Sequence, residues 1–289
     1  MKKIIALFLL INSLIFVSCS KDDVVPSTGT AASTMLDVSY GSDAAQKMDI
    51  YLPAGRTITD TKVIIMIHGG AWTGGDKTDF TASVDTLRMR LPDYAIFNLN
   101  YRLSASPNNI FPTQELDVKA AIEYIYSKAG EYLVSNKYVL MGASAGGHLA
   151  MLQAYKYNTP VKPKAVISFF GPSDLTDMYN NPVGGNTLLS LGLATAVGVT
   201  PAQDPAMYIN SSPVTFITSS SAMPTILLHG GMDPLVNPSQ SIAVQTKLNA
   251  VGITNQYVFY PSGGHGNWDA ATYSDAFNKI QLFLEANVH

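Results

Sequence analysis

Residues 138–147 read Tyr-Val-Leu-Met-Gly-Ala-Ser-Ala-Gly-Gly and join a short apolar strand, 138–141, to a predicted helix. Between the two lies the pattern G-x-S-x-G, with Ser144 at its centre. In this context the turn is sharp and strained, and the serine hydroxyl projects from the end of the sheet. Glycines at 142 and 146 leave out Cβ atoms that would collide with the neighbouring strand and helix. The stretch therefore predicts a nucleophilic serine at a strand end.

Beta-rich and helical segments alternate on both sides of this stretch. Predicted strands occupy residues 47–52, 62–68, 94–100, 138–141, 165–170, 225–229 and 255–260, and predicted helices occupy 113–127, 144–155, 238–250 and 270–286. Such alternation indicates an α/β fold with a mostly parallel sheet and helices on both faces. The pattern breaks over residues 171–223, which contain five prolines and many small residues. We predict a small cap-like insertion there, lying over the edge of the sheet.

A serine needs a base to become a good nucleophile, and the sequence offers five histidines. His265 lies in a glycine-rich loop between the last predicted strand and the last predicted helix. A loop at the carboxyl edge of the sheet would bring its side chain within reach of Ser144. The remaining histidines have less suitable positions, at the C-terminus, within a helix or at strand ends: His289, His148, His68 and His229.

The base in turn needs an acid that fixes its tautomer. Asp233 directly follows a predicted strand, at the same sheet edge, and precedes His265 in the chain. Asp269, four residues after His265, and Asp174 are its rivals. We favour Asp233, which gives the chain order serine, aspartate, histidine, and keep the other two as alternatives.

Residues 68–72, His-Gly-Gly-Ala-Trp, end a second apolar strand. Consecutive glycines after a buried strand leave backbone N–H groups free to face a site. Acyl transfer needs such donors where negative charge develops on the carbonyl oxygen. We predict donors at Gly70 and Ala71, together with Ala145, the residue after the serine.

Several segments together carry a family resemblance. They are HGGAW at 68–72, GASAGG at 142–147, HGGMDPLV at 229–236 and GGHG at 263–266. This set resembles the α/β-hydrolase superfamily. With the HGGxW pattern, Asn100-Tyr101-Arg102 and Gly171-Pro-Ser-Asp-Leu175 are similar to an esterase/lipase branch that includes acetyl-xylan and feruloyl esterases and formamidases.

The resemblance covers about residues 36–288 and implies an eight-stranded, mostly parallel sheet. It implies catalytic residues and oxyanion donors at the positions already singled out: Ser144, Asp233 and His265, with Gly70, Ala71 and Ala145. Many members carry a third glycine where this chain has Ala71. Neither a metal nor a cofactor is expected, because the sequence has no zinc-type histidine pair and no GxGxxG loop after a strand.

These features predict a serine carboxylic-ester hydrolase that removes acetyl or feruloyl groups from polysaccharide, or cleaves other short acyl esters. Its substrate is then a small-molecule or oligosaccharide ester. Trp72 and Trp268 are candidates for stacking on sugar or aromatic rings, with core packing as the alternative. Two other functions stay open: a prolyl-type serine peptidase, and a non-catalytic surface binding protein on a hydrolase scaffold.

The N-terminal segment predicts export. A pair of lysines precedes a short apolar run, and residues 1–18 are interpreted as a signal peptide. The Ser-Cys pair ending at Cys19 resembles the lipobox of bacterial lipoproteins, in which the cysteine is lipidated; an ordinary signal peptide with an incidental cysteine is the alternative. Residues 19–35 are predicted as a flexible tether and 36–289 as the hydrolase domain. We expect a lipid anchor in a bacterial membrane, with the outer membrane and the cell surface as the expected location.

Composition narrows the function classes further. Charged residues make up only 13 % of the chain, against about 25 % in an average globular protein, while apolar types make up 47 %. This composition excludes a disordered chain. The formal net charge of −3 argues against nucleic-acid binding, which needs a basic surface. A single cysteine rules out an intramolecular disulfide.

Overall fold

The computed structural model describes residues 29–289. The predicted signal peptide, Cys19 and most of the predicted tether lie outside these residues. Strand β1 (Ser33–Ser39) begins inside the segment predicted as tether, so the folded domain starts before residue 36. The reason is pairing with the next strand, since Met35 lies opposite Ile50 and packs against the core.

Residues 29–289 form one eight-stranded sheet in the order β1-β2-β4-β3-β5-β6-β7-β8. The pairs β1·β2 and β2·β4 are antiparallel, and all later pairs are parallel, which confirms the predicted mostly parallel sheet. The bounds after β1 are β2 (Lys47–Leu52), β3 (Lys62–Ile67), β4 (Tyr94–Leu99), β5 (Tyr138–Ala143), β6 (Ala165–Phe169), β7 (Thr225–Gly230) and β8 (Asn255–Tyr260).

Helices cover both faces of the sheet. They are α1 (Thr81–Arg90), α2 (Thr113–Ser127), α3 (Ala129–Tyr132), α4 (Ala145–Lys156), α5 (Leu175–Asn180), α6 (Thr187–Val197), α7 (Pro205–Asn210), α8 (Ser239–Ala250) and α9 (Ala270–Asn287). Helix α1 is not among the predicted helices, because only Val84 and Leu87 of its ten residues are buried. Within residues 29–289, no helix has the length and apolar character needed to cross a membrane.

The central strand β3 is buried on both faces. Val63, Ile65 and Ile67 join the apolar cluster that contains residues of α2, α4 and α8, whereas Ile64 and Met66 join the cluster beneath α1 and α9. This division follows from the alternation of side chains along a strand. A strand covered by helices on both faces requires a continuous run of apolar residues. Such a run at residues 62–68 predicted the position of β3.

The predicted cap-like insertion, residues 171–223, contains α5, α6 and α7. Its buried side chains, Leu175, Leu193 and Tyr208 among them, belong to the same apolar cluster as α2 and α4. At its start, the Ser173 hydroxyl donates to the Gln240 carbonyl at 2.7 Å and so ties the insertion to α8. The insertion therefore packs as part of the main domain.

Candidate active site

Ser144 occupies the turn between β5 and α4. Its φ of 54° and ψ of −123° are a conformation that L-residues rarely adopt. A Cβ at Gly142 would lie 2.2 Å from the backbone of Gly146, and a Cβ at Gly146 would lie 1.8 Å from the carbonyl oxygen of Ile67. Atoms that are not bonded to each other cannot approach this closely, so the turn requires glycine at both positions.

Ser144, His265 and Asp233 form a chain of hydrogen bonds. His265 Nδ1 lies 2.7 Å from Asp233 Oδ2, and His265 Nε2 lies 2.9 Å from Ser144 Oγ. An ionised carboxylate only accepts, so Nδ1 carries the proton and donates to Asp233. Nε2 then accepts the hydrogen bond that the serine hydroxyl donates. The serine proton therefore points at a basic nitrogen, as its removal requires.

Asp233 is buried and receives hydrogen bonds at both carboxylate oxygens. The amides of Leu235 and Val236 donate to Oδ1 at 2.8 and 2.9 Å. His265 donates to Oδ2, and His229 Nε2 lies 3.4 Å from the same oxygen. Burial alone would raise the pKa of Asp233, but these hydrogen bonds outweigh it and hold the pKa well below its ordinary value. The carboxyl group is therefore ionised at neutral pH.

The lowered pKa of Asp233 predicts a loss of stability in acid. Because the folded state binds this proton more weakly than the unfolded state does, the ionised group stabilises the fold above about pH 4. That stabilisation is lost as the pH falls towards the pKa of the folded protein. The free energy of unfolding, measured by chemical denaturation between pH 2 and 6, should fall below pH 4, and less steeply in Asp233→Asn. For one group the difference in slope is at most about 1.4 kcal/mol per pH unit. Equal slopes in the two proteins would contradict the expectation.

His229 extends the network on the far side of Asp233. Its ring is fully buried, with Nε2 3.0 Å from the Val236 carbonyl oxygen and Nδ1 2.7 Å from Ser241 Oγ. A carbonyl only accepts, so Nε2 carries the proton and Nδ1 accepts from the serine hydroxyl. The ring thereby holds the Asp233 loop against β7 and α8. Sequence reasoning missed this support, although His229 stands four residues before Asp233 at the same strand end.

The two alternative acids cap helices. Asp269 accepts a hydrogen bond from the Thr272 amide at the start of α9, at 2.7 Å, and Asp174 accepts one from the Asp177 amide at the start of α5, at 2.9 Å. Both carboxylates therefore satisfy N–H groups that a helix leaves unpaired. Of the three candidate acids, Asp233 is the one that the structure brings to His265.

Two histidines near the site brace the surrounding loops. His68 stacks on Tyr101 with ring centroids 4.3 Å apart, and its Nδ1 lies 2.7 Å from the Gly69 carbonyl oxygen. His148 is fully buried, with Nε2 2.7 Å from the Ser211 carbonyl oxygen, and burial lowers its pKa to about 4. Both rings are committed to packing and hydrogen bonds away from the Ser144 hydroxyl.

The predicted oxyanion donors lie on the loop after β3 and at the start of α4. In residues 29–289, the backbone N–H groups of Gly70, Ala71 and Ala145 donate no hydrogen bond to another protein atom outside regular helices and strands. The loop itself is held by the Thr73 and Gly74 amides, which donate to the Gly70 carbonyl at 3.0 and 2.9 Å. Ala71 has a φ of 52°, in the left-handed region that favours glycine. The strained loop leaves these N–H groups available to a bound oxygen.

A cavity of about 510 Å³ opens beside Ser144 and His265, and we call it the Ser144 cavity. The loop after β3, residues 68–72, forms one side, and Asp79 also lines the cavity. The cap-like insertion contributes apolar side chains: Met178, Leu188, Leu189 and Leu193. Residues 171–223 therefore shape the site, although no local motif in them indicated which side chains would line it.

The two candidate stacking residues are both buried. Trp72 lines the Ser144 cavity, but the residue is only 3 % exposed and its Nε1 donates to His148 Nδ1 at 3.3 Å. Trp268 donates from Nε1 to the Gly264 carbonyl at 2.9 Å and supports the His265 loop from behind. It packs among aromatic rings, Phe169, Phe170, Tyr260 and Tyr273, and is absent from the cavity wall. The stacking role expected for Trp268 is therefore not met by its position, and the packing alternative accounts for it.

The parallel sheet with an antiparallel edge, the serine turn after β5 and the helices on both faces define the α/β-hydrolase fold. The model of the BD-FAE family matches residues 48–248, and the chain belongs to this family. A solved structure described as a truncated form of a carbohydrate esterase from gut microbiota is 25 % identical, with a TM-score of 0.74. The match covers 89 % of this chain and 98 % of that one.

Two further relatives have longer chains. The bifunctional GH43-CE protein of Bacteroides eggerthii is 28 % identical, with a TM-score of 0.74, over 86 % of this chain and 38 % of its own. A Mycobacterium tuberculosis protein named "Probable carboxylic ester hydrolase LipM" is 31 % identical over 232 residues, or 74 % of this chain. The chain spans about half the length of that curated relative, 52 %.

Proposed function

We propose that this protein is a serine carboxylic-ester hydrolase. The observation that carries the proposal is the hydrogen-bonded chain from Ser144 through His265 to Asp233, at the wall of an apolar cavity. The N–H groups of Gly70 and Ala71, which have no protein partner within residues 29–289, lie on a loop that lines the same cavity as the serine, as stabilisation of an oxyanion requires. The relatives named as esterases support the same activity.

In the first step, Ser144 Oγ bonds to the ester carbonyl carbon while His265 Nε2 takes the hydroxyl proton. The carbonyl π electrons move to the oxygen, and the resulting oxyanion accepts hydrogen bonds from the N–H groups of the strained loop and of Ala145. Asp233 stabilises the imidazolium through Nδ1–H. The bond to the alcohol oxygen then breaks, and the alcohol leaves with the proton from Nε2.

In the second step, water replaces the alcohol. His265 Nε2 takes a proton from the water as its oxygen bonds to the acyl carbon, and the oxyanion forms again in the same place. When this tetrahedral intermediate breaks down, His265 Nε2 returns the proton to Ser144 Oγ as the bond from Oγ to the acyl carbon breaks, and the carboxylic acid is released. Each oxyanion donor contributes on the order of 10²–10³ to such a rate, so the geometry of the loop matters as much as the base.

For the substrate, we propose acetyl or feruloyl esters of polysaccharide. The resemblance to the acetyl-xylan and feruloyl esterase branch supports this class, and so does the similarity to the gut carbohydrate esterase. The test compares acetylated and feruloylated xylo-oligosaccharides with p-nitrophenyl esters and an aminoacyl-proline amide. We expect hydrolysis of the esters. Turnover of the amide without any ester would favour a prolyl-type peptidase, and no turnover at all would favour a binding protein.

We further propose that the protein is a lipoprotein held to a bacterial membrane through Cys19, on the strength of its lipobox-like sequence. One acyl-modified cysteine carrying more than one chain is enough for stable anchoring. Cys19→Ala should move the protein from the membrane fraction to the soluble fraction on expression in a lipoprotein-processing host. Ser27→Ala, in the predicted tether, is the control that should stay membrane-bound. An unchanged membrane fraction in Cys19→Ala would rule lipidation out.

A further inference from the structure

A second cavity, of about 590 Å³, lies between α1 and α9, and we call it the α1–α9 groove. Helix α1 contributes Ala82, Ser83, Thr86, Met89 and Arg90, and helix α9 contributes Ala270, Tyr273, Ser274 and Phe277. On each helix these positions recur at spacings of three and four residues, so each set forms one helix face. The two faces oppose each other across the groove.

The floor of the α1–α9 groove lies next to the serine turn. It consists of β5 and β6 residues and includes Ala143, which immediately precedes Ser144. The groove and the Ser144 cavity share part of their walls: Asp79, Phe80, Ala143, Phe170 and Tyr273. The Phe170 ring stands 4.5 Å from the ring of His265 and has a left-handed φ of 40°. The two spaces are therefore neighbours, and Phe170 lines both of them.

A polar link joins the two helices at the groove. Arg90 of α1 donates to Asn278 Oδ1 and, at 3.5 Å, to Ser274 Oγ of α9. The interior is lined mainly by apolar and aromatic side chains, Phe80, Phe169, Phe170 and Phe277. An occupant that fits this space is an uncharged chain or ring of limited length.

We propose that the α1–α9 groove binds the acyl arm of larger ester substrates, either a medium-length alkyl chain or a single aromatic ring. The inference rests on the esterase function proposed above. An ester has two arms, and the leaving alcohol must receive its proton from His265. The alcohol arm therefore belongs in the Ser144 cavity, whose wall includes His265, Leu235 and Val236. None of these three lines the groove, so the groove fits the other arm.

The test places a larger side chain in the groove at Thr86, a residue that lines the groove but not the Ser144 cavity. Thr86 is half-buried, and its hydroxyl donates to the Ala82 carbonyl at 2.8 Å. Thr81 lies on the same helix and makes a similar bond, to the Thr78 carbonyl at 2.7 Å, but it does not line the groove. Thr86→Phe and Thr81→Phe are therefore the same substitution on the same helix, about 140° apart around its axis. Ser83→Phe is a second filling variant in case the first does not fold.

The readout is the ratio of kcat/KM for p-nitrophenyl octanoate to that for p-nitrophenyl acetate, measured on each protein. Filling the groove should lower this ratio about tenfold or more, because several methylene groups lose their binding space. Thr81→Phe should leave the ratio at the wild-type value. Using a ratio removes any general loss of active protein from the comparison.

Three outcomes would overturn the inference in different ways. An unchanged ratio in both filling variants means that the groove does not bind the acyl arm. Selective loss of octyl acetate hydrolysis, with octanoate turnover kept, means that the groove binds the alcohol arm instead. If the wild-type protein hydrolyses no ester at all, the proposed esterase function fails as well, so the failures of the two proposals are distinguishable.

Discussion

Replacing Ser144 with alanine is expected to lower kcat for ester hydrolysis by about 10⁴- to 10⁶-fold. The variant lacks the atom that attacks the carbonyl carbon, and only the oxyanion donors and substrate binding remain. Its fold should be unchanged, because within the described part of the chain, residues 29–289, the Ser144 hydroxyl bonds to His265 alone, and alanine adopts the left-handed φ about as readily as serine does. Steady-state hydrolysis of p-nitrophenyl acetate and the thermal unfolding midpoint measure the two effects.

Ser262→Ala provides the matched control for this loss. Ser262 is exposed in the loop that carries His265, three residues before the histidine. Its replacement should leave kcat within about twofold of the wild-type value, since surface substitutions away from special contacts have small effects. Hydrolysis by Ser144→Ala at the wild-type rate would remove the serine from the reaction.

Replacing Asp233 with asparagine is expected to lower kcat about 10⁴-fold through the wrong histidine tautomer. The Leu235 and Val236 amides both donate to Oδ1, so the asparagine carbonyl oxygen must take that position. The NH₂ group then faces His265 Nδ1 and donates to it. Nδ1 loses its proton to Nε2, and Nε2 can no longer accept the proton of Ser144. The decrease should appear in kcat, measured with the same p-nitrophenyl ester.

The two rejected acids supply controls of identical chemistry. Asp269→Asn and Asp174→Asn change carboxylates that cap α9 and α5, and asparagine caps a helix about as well as aspartate. Activity and stability of both variants should therefore stay close to wild type. A large loss of kcat in Asp269→Asn, with Asp233→Asn unaffected, would transfer the role of the acid to Asp269.

The elements predicted best from the sequence are those that a local pattern of residues specifies. The predicted strand at 255–260 coincides with β8, and the predicted strand at 62–68 is β3 with one residue too many. Continuous apolar runs bounded by turn residues indicate strands buried between helices. The glycines of the serine turn could also be predicted from the local sequence, because a side chain at either position would collide with the neighbouring backbone.

Elements that depend on contacts with other elements were harder to predict. Edge strand β1 is held by pairing with β2, and α1 buries two residues, so neither has a strong periodic pattern of its own. Trp268 offers the same apolar surface to a sugar ring and to the aromatic rings behind His265, and only the fold decides between them. The α1–α9 groove forms between helices almost 200 residues apart in the chain, so no local motif indicates it.

His265 and Asp233 were easier to predict than the groove but harder than the strands, because their selection needed both the sequence and the expected topology of the sheet. Elimination among five histidines and the meeting of parallel strand ends at one sheet edge were enough to select them. The contribution of His229 was not foreseen, because it depends on hydrogen bonds to Ser241 and Val236 that appear only once β7 and α8 are packed together.

Covalent labelling with a fluorophosphonate tests the nucleophilic role of Ser144 most directly. Such a reagent bonds to an activated serine oxygen and expels fluoride, so intact mass counts the adducts and peptide mass spectrometry locates them. We predict one adduct, on Ser144, that is absent from Ser144→Ala and forms much more slowly on Asp233→Asn. An adduct on a different serine, or the absence of any adduct on the folded protein, would contradict a nucleophilic Ser144.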